Sequence, residues 1–559
     1  MKLTKRLTAL LLALVMVLAM AACGSVEPEH MTVRAALVDA PVTLDPARAV
    51  TETEKTVAAN LFENLMKQTA AGVVNGQASG YDYVDNMDGT ETYTFTLRND
   101  LYWSDGRRVT AGDFVYSWRR LVDPQTNSPH ASTLNMVAGY ADALAGDTSA
   151  LQVSAPDERT FVVTISGHCS YFIPVVCTAV CTMPVRADVT TVPDTADDSQ
   201  TDGSQSDGSQ TDGEQTAQPL PDWSMDAATL LTNGAYSVSS LTVDTLTAAV
   251  ADRYYDARRL GPDQLEFHFA DSTAAAMKLY DNEEVDFVLD AGDAPEAVEA
   301  SSDKVSTVLV NQMASSLTET LRQAMSMVID RSALAAAVGD AYRAADGLIP
   351  YGIVTSSGES FREVNGAVID NDPDTYEARC EQAQALLHTI YSPMALSSMN
   401  TVTLVYTADS DGINARITQL LQTMWREKLG LRVALRGLSP EEMSQMLNSG
   451  EFSLALVDVA GDRNTALSYL NRFSSGQQGN YGQLYSNAYD MLIRVASNSS
   501  SDEARDAYLA DAERMLLDSG YVMPLANETY TWLLRDTLTG LQTDGMGVYY
   551  FQGVVKVSS

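Results

Sequence analysis

The chain reads as a protein of more than one domain that uses both strands and helices, and three observations point there. Its 559 residues exceed what one hydrophobic core ordinarily organises, so roughly two or three domains are expected. The apolar share, 45%, is normal for a globular chain. The most informative stretch, Tyr93 to Pro124, spells a strand, a turn and a helix in succession. From Tyr93 to Arg98 large and polar residues alternate, the period of a half-buried strand. Ser104-Asp105-Gly106 supplies turn chemistry. Thr110 with Asp113 three residues on forms a capping box, and Phe114, Val115, Trp118 and Leu121 then share one helix face.

Taken in order, the chain opens with Lys2, Lys5 and Arg6 before an apolar run, Leu7 to Met20, too short for an ordinary membrane span. That pattern reads as a secretory signal. Met20-Ala21-Ala22-Cys23-Gly24 resembles a bacterial lipobox, with methionine where leucine is usual. The resemblance implies cleavage before Cys23 and a diacylglyceryl anchor on its thiol; an ordinary signal with an incidental cysteine is the plainer alternative. No second long apolar run follows, so the rest is expected to be soluble. Of the other cysteines, Cys169, Cys177, Cys181 and Cys380, an extracytoplasmic setting permits pairing, and sequence does not assign it. Cys177 and Cys181 lie in an apolar stretch and are expected to be buried rather than metal-binding.

Met31 to Val38 reads as a strand that Leu44-Asp45-Pro46 ends, and Thr53 to Met66 as a helix. The net charge of −37 excludes nucleic-acid binding, since a phosphate backbone would be repelled. Part of that charge is local: between Asp188 and Asp226 stand ten acidic residues and no Lys or Arg. Within it Thr201-Asp-Gly-Ser-Gln, Ser206-Asp-Gly-Ser-Gln and Thr211-Asp-Gly-Glu-Gln repeat every five residues. Ca²⁺-binding repeats place Gly and Asp around apolar positions, and none occur here. Such sequence cannot bury enough surface to offset its chain entropy, so a solvated, disordered insertion is expected.

The segment from Tyr93 to Pro124 closely resembles the signature of the oligopeptide-binding proteins that serve ABC importers. Other stretches follow the order of that family. Leu61-Phe62-Glu63-Asn64-Leu65 resembles its Leu-Phe-Glu-Gly-Leu, and Asp157 to Ile165 its hairpin strand. Thr232-Asn233-Gly234-Ala235-Tyr236 is similar to its turn before a strand, and Arg253-Tyr254-Tyr255 stands where its tyrosine–tryptophan segment falls. Leu321 to Arg331 resembles its Val-Arg-Gln-Ala-Leu helix, and Asp490 to Ile493 with Arg505 to Leu516 its late amphipathic helices. The resemblance implies an α/β, two-lobed periplasmic-binding-protein-like fold (type II, the large cluster C type) with an extra subdomain. On that plan residues 1–22 are the signal, 23–70 and 227–305 two segments of lobe 1, and 71–187 the extra subdomain. Residues 188–226 are the acidic insertion, 306–525 lobe 2 and 526–559 the return to lobe 1.

The implied function is capture of an oligopeptide between the lobes and its delivery to ABC permease subunits, by a monomer held at the membrane through its lipid anchor. A carboxylate at one end of such a cleft holds the peptide ammonium by a charge-assisted hydrogen bond. Asp462 falls at the family's ammonium-binding position, within Asp458-Val459-Ala460-Gly461-Asp462. Its bland role is a helix N-cap ahead of Leu467, Leu470 and Phe473. Asp458 is the second candidate anion, and Thr51 and Glu52 ahead of the first helix are further ligand-binding candidates. Two departures stand out. Val459 occupies the place of an aromatic, and the segment from Val305 to Leu321, normally part of the hinge and cleft floor, is shortened. A receptor-like signalling or scaffold lipoprotein with degenerate binding is therefore the alternative function.

Catalytic and cofactor readings find no support. The five histidines lack the spacing of a zinc helix, and neither a nucleophile elbow nor a phosphate loop occurs. Asp370-Asn371-Asp372-Pro373-Asp374 with Glu381 imitates an EF-hand loop, but Thr375 stands where its sharp turn needs glycine. Asp372 or Asp374 is expected to cap the helix that follows. No enzyme, metal or cofactor is expected, and a secreted peptidase is the least supported reading.

Overall fold

Two strands of thirteen residues, Val298–Val310 and Val522–Leu534, cross between the lobes, and one continuous sheet is built around them. The computed structural model describes residues 30–557 apart from 70, 71, 168, 170, 191–221, 293, 340, 393–401, 410, 411, 462, 463, 478, 500, 545 and 546. Cys23, Asp462 and most of the acidic insertion lie outside the described residues. The sheet uses β1 (Thr32–Val38), β2 (Tyr236–Leu241), β3 (Thr245–Val250), β4 (Gln264–Ala270), β5 (Phe287–Leu289) and β6 (Val298–Val310). It continues with β7 (Val402–Thr407), β8 (Val433–Leu438), β9 (Leu454–Ala460) and β10 (Val522–Leu534). Their order across it is β8-β7-β9-β6-β10-β5-β1-β4-β3-β2, with Tyr342–Ala344 added against β10.

β1 pairs in parallel with β4 and β5, and Val33, Ala35, Ala36 and Leu37 are buried on alternating faces. A parallel strand needs cover on both sides. Helix α1 (Glu52–Leu61) and the subdomain supply one cover, and the helix Thr273–Asp281 the other. In the subdomain a four-stranded antiparallel sheet carries Tyr93 and Phe95. Helix α2 (Ala111–Val122) lays Phe114 and Trp118 against Phe161. The Asp113 carboxylate accepts from Thr110 N at 2.8 Å, so the expected capping box is present. Lobe 2 buries both faces of its half of the sheet, one around Leu321, Trp425 and Leu454, the other around Leu309, Tyr469 and Leu516.

Four local readings need correction. The helix expected over Thr53 to Met66 ends at Leu61, because Asn64 leaves it to donate to Ala179 O and Thr182 Oγ1. The helix containing Leu321 stops at Met327, and Asp330 caps a second one, Arg331–Val338. Cys177 is fully buried, whereas Cys181 is only half-buried. In the Asp370 string neither Asp372 nor Asp374 caps the helix Tyr376–His388, whose N-cap is Thr375; Asp372 caps the short turn Pro373–Thr375 before it, accepting from Asp374 N.

The crossing strands form the mechanical centre. The first part of β6, Val298 to Ser301, pairs with Trp532 to Thr529, and the later part, Val305 to Leu309, with Asn527 to Val522. Between them the register against β10 shifts, and Lys304 N donates to Ser302 Oγ. Such an irregularity twists the strands and localises bending at the few residues where the ladder is already broken.

Candidate functional site

β9 is paired along its whole length on one side only. Leu454 to Ala460 face Val310 to Lys304 of β6, whereas β7 reaches only Leu454 and Ala455. Among the described residues, the second edge of β9 from Leu456 onward has no strand against it. An edge of this kind offers alternating N–H and C=O groups to an extended chain. Beside it lies a cavity of about 290 Å³, lined by Leu309, Met443, Val457, Val459, Phe473 and Tyr481. That is the small end of the range for ligand pockets. Val459 is 1% exposed and lines this cavity.

Asp458 is exposed on β9 and accepts from Ser306 Oγ at 2.8 Å. Ala460 O accepts from Arg472 Nη2 at 2.6 Å. At Gly461 the chain passes so close to Tyr469 that a Cβ would stand 2.4 Å from its ring, which excludes any other residue. Tyr469 in turn donates to Asp303 O at 2.6 Å, fastening the end of β9 to the irregular part of β6. The helix that follows, Ala466–Leu470, is capped by Thr465, whose side chain accepts from Leu467 N. The N-cap role considered for Asp462 therefore belongs to Thr465.

From lobe 1, α1 points its first turn at the same place. Thr51 is its N-cap, accepting from Glu54 N at 3.1 Å, so its hydroxyl serves the helix. Buried Glu54 returns bonds to the backbone of Val42, Thr43, Val50 and Thr51, which fixes the entry of the helix. Glu52 is one-third exposed and lies 3.9 Å from Lys55. Gly547 lets Glu52 and Tyr530 approach: a Cβ there would meet the Glu52 Cγ at 2.8 Å and the Tyr530 hydroxyl at 3.0 Å. Asn464 of lobe 2 donates to Asp544 O of the returning segment at 2.6 Å, a direct bond between the lobes.

The charges that meet here come from both lobes and both crossing strands. Lys304 Nζ is 3.6 Å from Glu528 Oε2, each side chain nearly half exposed. Burial alone would lower the Lys304 ammonium; Glu528, Glu52, Asp303 and Asp458 outweigh that and hold it above its ordinary value. Burial pushes the Glu528 carboxyl up, opposed by Lys304 and reinforced by Asp458 and Glu52. Asp303 is raised too, by burial first and by Glu52 against the pull of Lys55. Carboxylates outnumber ammonium groups, and the arrangement suits a cationic group of a ligand. Residue reading brought Asp458, Val459, Ala460, Gly461 and Glu52 to this place. It missed Asp303, Lys304, Ser306, Glu528 and Asn464; the one signal, for the first two, is the polar run Ser301-Ser302-Asp303-Lys304 within the strand.

A family model described as bacterial extracellular solute-binding proteins, family 5 Middle, matches residues 73–481. The chain belongs to that family. It is 25% identical to the periplasmic murein peptide-binding protein MppA of Escherichia coli, over 92% of this chain and 91% of that one. It is also 25% identical to a dipeptide-binding protein of Lactococcus lactis, over 95% of both chains. Among solved structures, the unliganded open form of MppA superposes with a TM-score of 0.74 at 24% identity, covering 95% of this chain and 98% of that chain. A Haemophilus influenzae OppA complexed with the peptide RPPGFSPFR gives 0.66 at 20% identity, covering 95% and 100%. These likenesses show the α/β two-lobed fold. No helix among the described residues is long and apolar enough to cross a membrane.

Proposed function

We propose that this chain captures peptides between its lobes and delivers them to an ABC permease while tethered through Cys23. The observation that carries the reading is the unpaired edge of β9, with a side-chain cavity beside it and carboxylates of both lobes around it. Main-chain pairing gives affinity indifferent to peptide sequence, and the cavity selects among side chains. A peptide touching Glu52 of lobe 1 and Asp458 of lobe 2 at once favours the closed arrangement, because only there does it gain both contacts. Asp462, two residues beyond Ala460, is the proposed ammonium anchor, with Gly461 keeping the backbone close. No step of this function requires bond cleavage.

The test is calorimetry on four combinations: wild type and Asp462→Asn, each with a free and an N-acetylated peptide. Losing a partly buried charged hydrogen bond should cost about 1.5–3 kcal/mol, roughly tenfold to a hundredfold in affinity. Acetylation should weaken the wild type by that amount and the variant far less, since both changes remove one interaction. Additive losses would show that Asp462 acts through structure alone. Mass spectrometry of ligands carried by protein from native cells identifies the peptides, and an empty cleft there would refute capture.

A further inference from the structure

Lobe 1 holds a second, larger recess that the cleft does not use. Its volume is about 510 Å³, and it lies between the far end of α1, the hairpin of residues 66–75, and the returning C-terminal segment. At its base is Glu63, 3% exposed. Glu63 Oε1 accepts from the Tyr255 hydroxyl at 2.6 Å and faces Lys67 Nζ at 3.5 Å. Glu63 lines the same recess, and its Oε2 is buried and has no hydrogen-bond partner among the described residues. A buried carboxylate oxygen without a donor is costly, and the fold could have placed an apolar residue there instead.

The cations around it are already arranged. Lys67 lies 3.8 Å from Asp256 and 5.5 Å above the Tyr255 ring. Arg98 lies 4.3 Å over the Tyr255 ring as well and donates to Gly76 O. Burial first, and the Glu63 carboxylate second, push the Tyr254 and Tyr255 phenols up, so both stay neutral. At the rim stands Arg259, its side chain 84% exposed and only loosely paired with Asp256 at 3.6 Å. The recess thus presents an acceptor at its base and a cation at its mouth.

We infer that this recess binds a small zwitterion of free-amino-acid size, whose ammonium donates to Glu63 Oε2 and whose carboxylate meets Arg259. Its volume falls within the range of small-molecule sites. It is separate from the peptide cleft: the ten residues of α1, about 15 Å of helix, lie between Glu52 and Glu63.

The experiment is a calorimetric titration of the mature full-length chain with individual proteinogenic L-amino acids, repeated on Arg259→Ala, Glu63→Gln, Val74→Trp and Asp458→Asn. Arg259 and the half-exposed Val74 sit at the surface, so those two variants fold whatever Glu63→Gln does. At least one amino acid should bind saturably, and Arg259→Ala should weaken it roughly tenfold or more. Val74→Trp, which fills the mouth, should abolish it, and Asp458→Asn should leave it unchanged. Absence of saturable binding, with an ordered water alone on Glu63 Oε2 in a crystal, overturns the inference. So does binding that Asp458→Asn removes and Arg259→Ala does not, which would put the amino acid in the peptide cleft.

Discussion

Two ion pairs in this protein use the same chemistry to opposite ends. Arg362 and Glu513, each 1% exposed, face one another inside lobe 2. Glu513 Oε1 accepts from Arg362 Nη2, from Leu348 N at 2.7 Å and from Ile349 N at 3.0 Å, and Arg362 also donates to Gly366 O. Lys304 and Glu528 lie where the crossing strands lose register, 46% and 40% exposed and 3.6 Å apart, too far for a hydrogen bond. The interior pair is held by backbone on both sides and is sealed from solvent. The cleft pair is loose, wet and outnumbered by Glu52, Asp303 and Asp458. Whether a charge serves the fold or the site is decided by how many backbone groups hold it, not by the presence of a counter-ion.

The largest effect should come from breaking the interior pair. Glu513→Ala leaves Arg362 buried without its counter-charge and two backbone N–H groups without an acceptor. The expected loss is about 3–5 kcal/mol of stability, read in urea or thermal denaturation, while peptide affinity of the protein that remains folded stays unchanged. A loss below about 1 kcal/mol would mean that the pair is as dispensable as a surface one.

The cleft should answer the other way. Asp458→Asn keeps an acceptor for Ser306 and removes only charge, so the melting temperature should hold. Because Asp458 is exposed, the affinity for a peptide with a free ammonium should fall only about threefold, and raising the salt concentration should shrink the difference. Calorimetry at low and high salt checks this; a stability change larger than the affinity change would place Asp458 with the interior pair.

Acid should separate the two regions further. The ordinary carboxyl value for Glu528 is 4.5, and burial raises it, Asp458 and Glu52 adding to the shift while Lys304 opposes it. A carboxyl raised on folding binds its proton more readily in the native state. Its contribution to stability therefore improves as pH falls from neutral through the raised value, the reverse of a salt-bridged acid. Attraction for a cation moves oppositely, since the neutral carboxyl exerts none. Acidification from neutral towards 4.5 should weaken ammonium binding before it weakens the fold. Glu528→Gln should flatten that part of the affinity profile; an unchanged profile would assign the pH dependence to another group.

The same contrast explains how far sequence could be read. The strand at Tyr93 and the capping box of Thr110 and Asp113 were legible because each is decided within a few residues. The family signature carried the two-lobed plan. The cleft was legible only where one strand supplies it, Asp458 to Gly461. Ser306 meets Asp458 across 152 residues of chain, and Lys304 meets Glu528 only because β6 and β10 are neighbours. Neither pairing leaves a local pattern. Glu63 looked like part of a motif, and its unpaired oxygen could be recognised only with the recess around it.

The smallest effect should come from the acidic insertion. Between Asp188 and Asp226 the chain carries ten acidic residues and no Lys or Arg, with a repeated Asp-Gly and few apolar side chains. At physiological salt the field of charges spaced along such a segment decays within about 8 Å. Deleting Thr195 to Gln215 removes six of those ten carboxylates, yet it should remove no core contact, because that stretch offers almost nothing to bury. The melting temperature should move by less than a few degrees, under about 1 kcal/mol for a chain of this size, and peptide affinity should not change. A larger drop in melting temperature would show that the segment packs on a lobe. A change in affinity alone would show that its field reaches the cleft, and then the low-salt and high-salt titrations of Asp458→Asn, run on the deleted chain, would reveal how much of the cleft's attraction for cations the insertion had been supplying.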